Sequence, residues 1–375
     1  MEQLLAHPDI DVNSGSGATA LFIAAEQGHA DIVKRLLDEP KINVNKGRPI
    51  DGASALTVAS CVGSVEIVKS LLDDSQTDVN LGLTEDGTTA LWMASQHSHP
   101  DVLVELLGHR DIDVNKGTSD TGSTGLFVAS RLGNLDIVKA LLNHNQTDVN
   151  KARTTDGMTP LIMATLEGQG HGQGHLQVVK ALLENRKIDP NKGMPSNSST
   201  ALYFASDDGR PDYAKLLIDH PLTDVNKGLS TDGTTPLITA TSRHSFEGIP
   251  GHFEVIQLLL AHPKIDVNRA LIENGTTALI LAAKSGKTNI VREILYDGKV
   301  DVNQRRTSDG TTALLVAAEN SRLSIVELLL DHHQIDVNKG KTKHGATALL
   351  EATKQGNREM VKAILGHPGI DSNQG

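Results

Sequence analysis

DVNLGLTEDGTTALWMASQHSHPDVLVELLGHRDI, residues 78–112, reads as one turn followed by two helices. Asp86-Gly87 marks the turn, because glycine takes a positive φ without strain, and the short Asp78-Val79-Asn80 before it is expected to pair back as half of a hairpin. Thr89 suits a helix N-cap, its hydroxyl accepting a first-turn N–H that has no partner inside the helix. Leu91 and Ala94 follow on one helical face. After a glycine or polar break comes a second helix. In the first unit, Asp31 to Leu37 shows its pattern plainly: Ile32/Val33 and Leu36/Leu37 make an i, i+4 apolar stripe.

The same unit fills the chain. Asp-Val-Asn or a near variant closes at Asn13, Asn45, Asn80, Asn115, Asn150, Asn191, Asn226, Asn268, Asn303, Asn338 and Asn373, with spacings of 32, 35, 35, 35, 41, 35, 42, 35, 35 and 35 residues. A fixed period of this size decides the architecture, because each unit buries its apolar face only against its neighbours. The capping position is Thr or Ser in all ten units: Thr19, Ser54, Thr89, Thr124, Thr159, Thr200, Thr235, Thr277, Thr312 and Thr347. Two residues on there is always Leu, and five on always Ala, from Ala24 through Ala352. That small residue lets a neighbouring helix come close. Second helices commonly end in His, Pro or Asn, as at His262-Pro263. An imidazolium is expected there, complementing the negative helix end.

Turn, Thr-x-Leu helix start, Ala-[Ala/Ser/Thr]-x-x-Gly, a second helix ending Leu-Leu, then Asp-Val-Asn: the whole chain resembles the ankyrin repeat, in a 35-residue variant. Thr159-Pro160-Leu161 and Thr235-Pro236-Leu237 match the first three letters of that family's Thr-Pro-Leu-His start. Its histidine is replaced in every unit, by Phe22, Thr57, Trp92, Phe127, Ile162, Tyr203, Ile238, Ile280, Leu315 and Leu350, which we read as core filling. The resemblance implies an all-α solenoid of about ten helix pairs with short β-hairpin or loop connections. It also implies a concave surface that binds a partner protein along the hairpin tips and the exposed positions of the first helices.

Composition agrees with an array of small contacts. Aromatic residues make up only 2% of the 375. One cysteine, Cys61, excludes a disulfide framework and fits a reducing, cytoplasmic or nuclear setting. No apolar run approaches the roughly 18 residues needed to span a bilayer, and the N-terminus lacks the pattern of a secretory signal. The net charge of −11 is spread along the chain, which disfavours nucleic acid and anionic membranes as partners. The expected molecule is a monomeric, non-catalytic scaffold without cofactor. The start inside a second helix, at Gln3 to His7, leaves open the repeat segment of a larger signalling enzyme, channel or secreted effector.

Residues 1–375 read as one array, regular over 1–150 and 269–375 and irregular over 151–268. The irregular block carries two insertions in the turn between first and second helix. One is the doubled Gly-Gln-Gly-His around His171 and His175; the other runs from His244 to Pro250. Between them, Ser196-Asn197-Ser198-Ser199 replaces the Asp-Gly turn. Long loops mapping to one edge are often a binding face. The candidate protein-binding residues are therefore the variable positions after the Ala pair in this region, Arg131, Leu132, Leu166, Glu167, Asp207, Asp208, Ser242 and Arg243, with Phe246 and Ile249 as apolar anchors.

Chemistry finds little support. Cys61 recurs nowhere else, and the carboxylates repeat in register, as structural positions do. The doubled Gly-Gln-Gly-His follows a helix and lacks the Lys-Ser/Thr of a phosphate loop. His29, His99, His175 and His252 open second helices, while His7, His109, His144, His220, His262, His332 and His367 close them, too far apart for a shared metal. Lys46, Lys116, Lys151, Lys192, Lys227, Arg269 and Lys339 follow the Asn and read as a solvated mixed-charge ridge. Leu72, Asp78, Val79 and Asn80, and likewise Leu330, Asp336, Val337 and Asn338, resemble ankyrin sites accepted by an asparaginyl hydroxylase, which makes Asn80 and Asn338 candidate modification sites.

Overall fold

The computed structural model describes residues 11–15, 17–168, 173–243, 251–342 and 345–371. Among them lie 20 helices in ten pairs and no strand. First helices run from Ala20–Glu26 to Ala348–Lys354, second helices from Ala30–Leu37 to Arg358–Leu365. Each first helix opens as the sequence predicts. The capping hydroxyl accepts the N–H three residues on in all ten repeats, at 3.2 Å for Thr89 and Trp92. Such a cap is worth about 1 kcal/mol.

The chain divides into two compact units, Met1–Ser196 and Asn197–Gly375, the division falling inside the irregular segment. Within each unit, first helices stack on first helices, second on second, and the two layers enclose the core. The alanine column sits where the layers meet. Ala59, Ala94, Ala129 and Ala164 in the first unit, and Ala205, Ala240, Ala282, Ala317 and Ala352 in the second, are fully buried. A larger side chain would push the helices apart. Leu and Val of the second helices, such as Val102, Leu103 and Leu106, fill the rest.

Asp-Val-Asn is not half of a hairpin. It forms a turn of its own, in which the Asp78 carboxylate accepts the Asn80 N–H at 2.9 Å and Val79 is buried. The hairpin begins two residues later and closes by isolated antiparallel bridges, Gly82 with Thr89 and Ala270 with Thr277. Freed from that ladder, the Asn side chain reaches the next repeat. Asn80 Nδ2 donates to Asp111 O at 2.6 Å while its Oδ1 accepts the Asp113 N–H at 2.7 Å. Asn13, Asn45, Asn115 and Asn150 make the same double bridge in the first unit. In the second, Asn226, Asn268, Asn303 and Asn338 do so.

Two substitutions test these local rules. Ser198 holds φ 64° where most repeats place glycine in the turn. Ser198→Gly should therefore raise stability by about 1 kcal/mol, read as an increase in Tm, since left-handed backbone costs a non-glycine residue roughly that amount. Asn115 spans Gln146 O at 2.7 Å and Asp148 N at 2.8 Å. Asn115→Ala should cost about 1–3 kcal/mol in urea titrations. Asn115→Asp, which keeps the acceptor but turns a carboxylate on the Gln146 carbonyl, should be no milder at neutral pH.

Candidate functional site

The hairpin tips are joined to one another by backbone. In the first unit Thr84 N donates to Asp51 O at 2.9 Å, Ser119 N to Asp86 O at 2.6 Å, and Thr154 N to Thr121 O at 2.8 Å. Ser230, Ile272, Thr307 and Thr342 continue the pattern in the second, onto Asn197, Asp232, Asn274 and Asp309. Pro195 occupies this column and has no N–H to give. Its ring lies against Gly157 instead, where an added Cβ would meet Pro195 Cδ at 2.0 Å. Elsewhere the tips carry Arg-Asp pairs, Arg48 with Asp51, Arg153 with Asp156 and Arg306 with Asp309. The Arg48 guanidinium holds the Asp51 carboxyl below its usual range and lies 4.9 Å over the buried Phe22 ring. Arg153 lies equally over Phe127. These aromatics are core residues with a cation on one face.

The variable positions fall at the C-terminal ends of first helices. In the first unit, Arg131 Nη2 donates to Gln96 Oε1 at 2.9 Å, Leu132 is 38% exposed, and Leu166 and Glu167 end the neighbouring helix Pro160–Glu167. In the second, Asp207 accepts from Thr239 Oγ1 at 2.9 Å and from Arg243 Nε at 2.7 Å. Asp208 is half-buried beside them, while Ser242 and Arg243 are exposed. Each unit thus groups its own four candidates along adjacent helix ends. Phe246 and Ile249 lie outside the described residues. Asn80 and Asn338 are held at both ends of the carboxamide, Asn338 by Gly369 O at 2.7 Å and Asp371 N at 2.8 Å. An enzyme acting there has to open the bridge first.

The histidines have positional duties that their spacing only partly revealed. Nε2 of His99, His175 and His252 donates at 2.9 Å to the carbonyls of Cys61, Arg131 and Asp207, at the ends of preceding first helices. Each ring covers a positive-φ glycine, Gly63, Gly133 or Gly209, where a Cβ would come within 2.6 to 2.8 Å of Nδ1. Lys287 fills the same place, donating to Thr241 O and, at 3.2 Å, to Ser242 O. Four of the helix-closing histidines have a contact that the sequence reading did not foresee. Nδ1 of His109, His262, His332 and His367 accepts the N–H of Asp111, Lys264, Gln334 and Gly369 at 3.1 to 3.3 Å. They do what Asp74 does for Gln76 with a carboxylate. Burial and the neighbouring His333 push His332 down, in keeping with that role. Likewise Lys46, Lys116 and Lys192 are not a loose ridge but donate to the carbonyls of Asn13, Asn80 and Asn150.

Among the described residues, no three His, Cys, Asp or Glu come together as metal ligands, and no helix is long and apolar enough to cross a membrane. Burial raises the Cys61 thiol above its ordinary value. What remains is a frame whose backbone-shaping groups are satisfied from repeat to repeat, with variation at tips and helix ends. The family pattern described as ankyrin repeats (3 copies) matches residues 1–82, 42–118, 91–194, 171–270, 222–306, 249–341 and 279–375. The chain belongs to the ankyrin repeat family. Ankyrin repeats are in general protein–protein interaction modules, and their fold is typically a non-enzymatic scaffold. Among solved structures, the ankyrin repeat protein EF0377 is 27% identical, with a TM-score of 0.50, over 56% of this chain and 99% of its own. The ankyrin repeat domain of Bcl-3, a member of the IkappaB protein family, has a TM-score of 0.54 over 64% of this chain and 97% of its own; at 23% identity it shows the fold alone. No curated protein matches the chain.

Lys287 gives this ankyrin frame a pH dependence. Burial lowers its ammonium from 10.5 to about 8. Between those values the unfolded chain holds a proton that the folded chain has released, so this residue makes stability rise with pH across the window. Thermal melts at pH 7.5 and 9.5 should show the wild type gaining on Lys287→Met as pH increases. A constant difference between the two proteins would refute the assignment.

Proposed function

We propose that the chain is a protein-binding scaffold with no chemistry of its own, taking its partner along the hairpin tips and first-helix ends of the irregular segment 151–268 and the repeat before it. One observation carries this reading: the caps, asparagine bridges, tip-to-tip bonds and histidine contacts fix the backbone internally, so the side chains that differ between repeats are those at tips and helix ends. In the first unit the contact residues are Arg131, Leu132, Leu166 and Glu167. In the second they are Asp207, Asp208, Ser242 and Arg243, with Phe246 and Ile249 of the second insertion as anchors. Leu132, an exposed apolar side chain next to a held arginine, has the character of a binding hot spot. We place this activity in a monomer in the cytoplasm, where a single cysteine is at no risk of forming disulfides.

The test is to immobilise the intact chain, identify the proteins it retains, and measure the affinity of the principal one against three variants. A chain lacking both insertions should lose that partner. Leu132→Asp and Arg243→Glu should each weaken it tenfold or more, about 1.4 kcal/mol. Equal affinity for all four proteins would refute this placement of the site.

A further inference from the structure

The tip of repeat 9 reads Arg305-Arg306-Thr307-Ser308-Asp309-Gly310, and it alone among the tips places two arginines ahead of a hydroxyl residue. Arg305 and Ser308 are both exposed. Ser308 Oγ has one contact, Asn274 O at 3.5 Å, at the limit of a hydrogen bond. Its neighbour Thr307 is less available, since its side chain packs where a Cβ on Gly275 would lie 3.0 Å away; the N–H groups of both residues are bonded to Asn274 O, at 3.0 and 3.4 Å. Arg306 is engaged by Asp309 Oδ2 at 2.5 Å and Thr311 Oγ1 at 3.3 Å, leaving Arg305 as the outward guanidinium.

The column itself shows that a negative charge fits here. The residue before the Asp, Asn or Thr that precedes the turn glycine is Glu85 in repeat 3, Asp120 in repeat 4 and Glu273 in repeat 8, all exposed. An anion at position 308 therefore meets a backbone geometry that already carries one elsewhere.

We propose that Ser308 is a phosphorylation site for an arginine-directed serine/threonine kinase. The outward Arg305 guanidinium, three residues ahead of the acceptor, complements a carboxylate-lined substrate groove, while Arg306 is held by Asp309. In the transfer, Ser308 Oγ attacks the γ-phosphorus of ATP. The new Oγ–P bond forms as the bond to the β-phosphate bridging oxygen breaks, ADP leaves, and the hydroxyl proton passes to the kinase base. The product places a charge of roughly −1.5 to −2 beside Arg305 and Arg306. The tip changes from net positive to net negative, and any partner contacting it meets the opposite field.

The experiment incubates the folded full-length chain with the catalytic subunit of cyclic-AMP-dependent protein kinase and Mg-ATP. Expected are a mass gain of about 80 Da, one phosphoryl group, mapping to Ser308, its loss in Ser308→Ala, and at least roughly tenfold slower incorporation in Arg305→Gln, as the loss of one charged contact dictates. Ser308→Asp should leave Tm within roughly 2 °C of wild type, as surface changes do. Phosphate on another residue, incorporation only after denaturation, or an unchanged rate in Arg305→Gln would each overturn the proposal. A large fall in Tm for Ser308→Asp would equally overturn the claim that the tip accommodates the charge.

Discussion

The asparagine that closes each repeat is the contact on which the rest depends. Its carboxamide offers a donor and an acceptor on one rigid plane, and the following repeat presents a carbonyl and an N–H at matching positions, as Asp111 and Asp113 do for Asn80. A carboxylate lacks the donor and a hydroxyl is too short to bridge both groups. Because the bridge fixes where the next loop enters, it also fixes where the next threonine caps its helix and where the next alanine meets its neighbour. The helices supply most of the buried area, while the asparagine sets their register.

Two further series of bonds work with it. Tip backbones are stitched N–H to carbonyl, and in four repeats the residue opening the second helix, His99, His175, His252 or Lys287, reaches back to the carbonyl end of a preceding first helix. Stability in such an array is close to a sum of repeats and their interfaces. Local departures therefore act locally. Pro195 removes one tip bond without disturbing the caps at Thr159 and Thr200 on either side.

Much of this was legible in the sequence, because ten copies average away accident. The period, the Thr caps, the alanine column and the ankyrin resemblance all follow from residue type and spacing. The asparagine bridge did not, because its partners are backbone groups 28 to 40 residues away that carry no side-chain signature. The tip ladder hid for the same reason, although the recurrent Thr or Ser at 84, 119, 154, 230, 307 and 342, interrupted by Pro195 and Ile272, was a visible trace of it. The backbone contact of the closing histidines was likewise not foreseen. Helix-dipole reasoning attends to the carbonyl end of the helix, whereas the ring nitrogen meets an N–H two residues on, as at Asp111. For the partner surface the sequence located variable positions, and the structure adds which of them are held, as Asp207 and Arg243 hold each other.

The asparagine bridge also has a direction. Both of its polar atoms belong to the earlier repeat and both groups they engage belong to the later one. A nascent chain leaving the ribosome therefore has a finished template waiting before the next loop arrives, so each new unit can dock as it emerges rather than wait for a partner still unsynthesised. The array thus has a polarity along the chain, which the asparagine column shares with the lysines and histidines that reach back to earlier repeats.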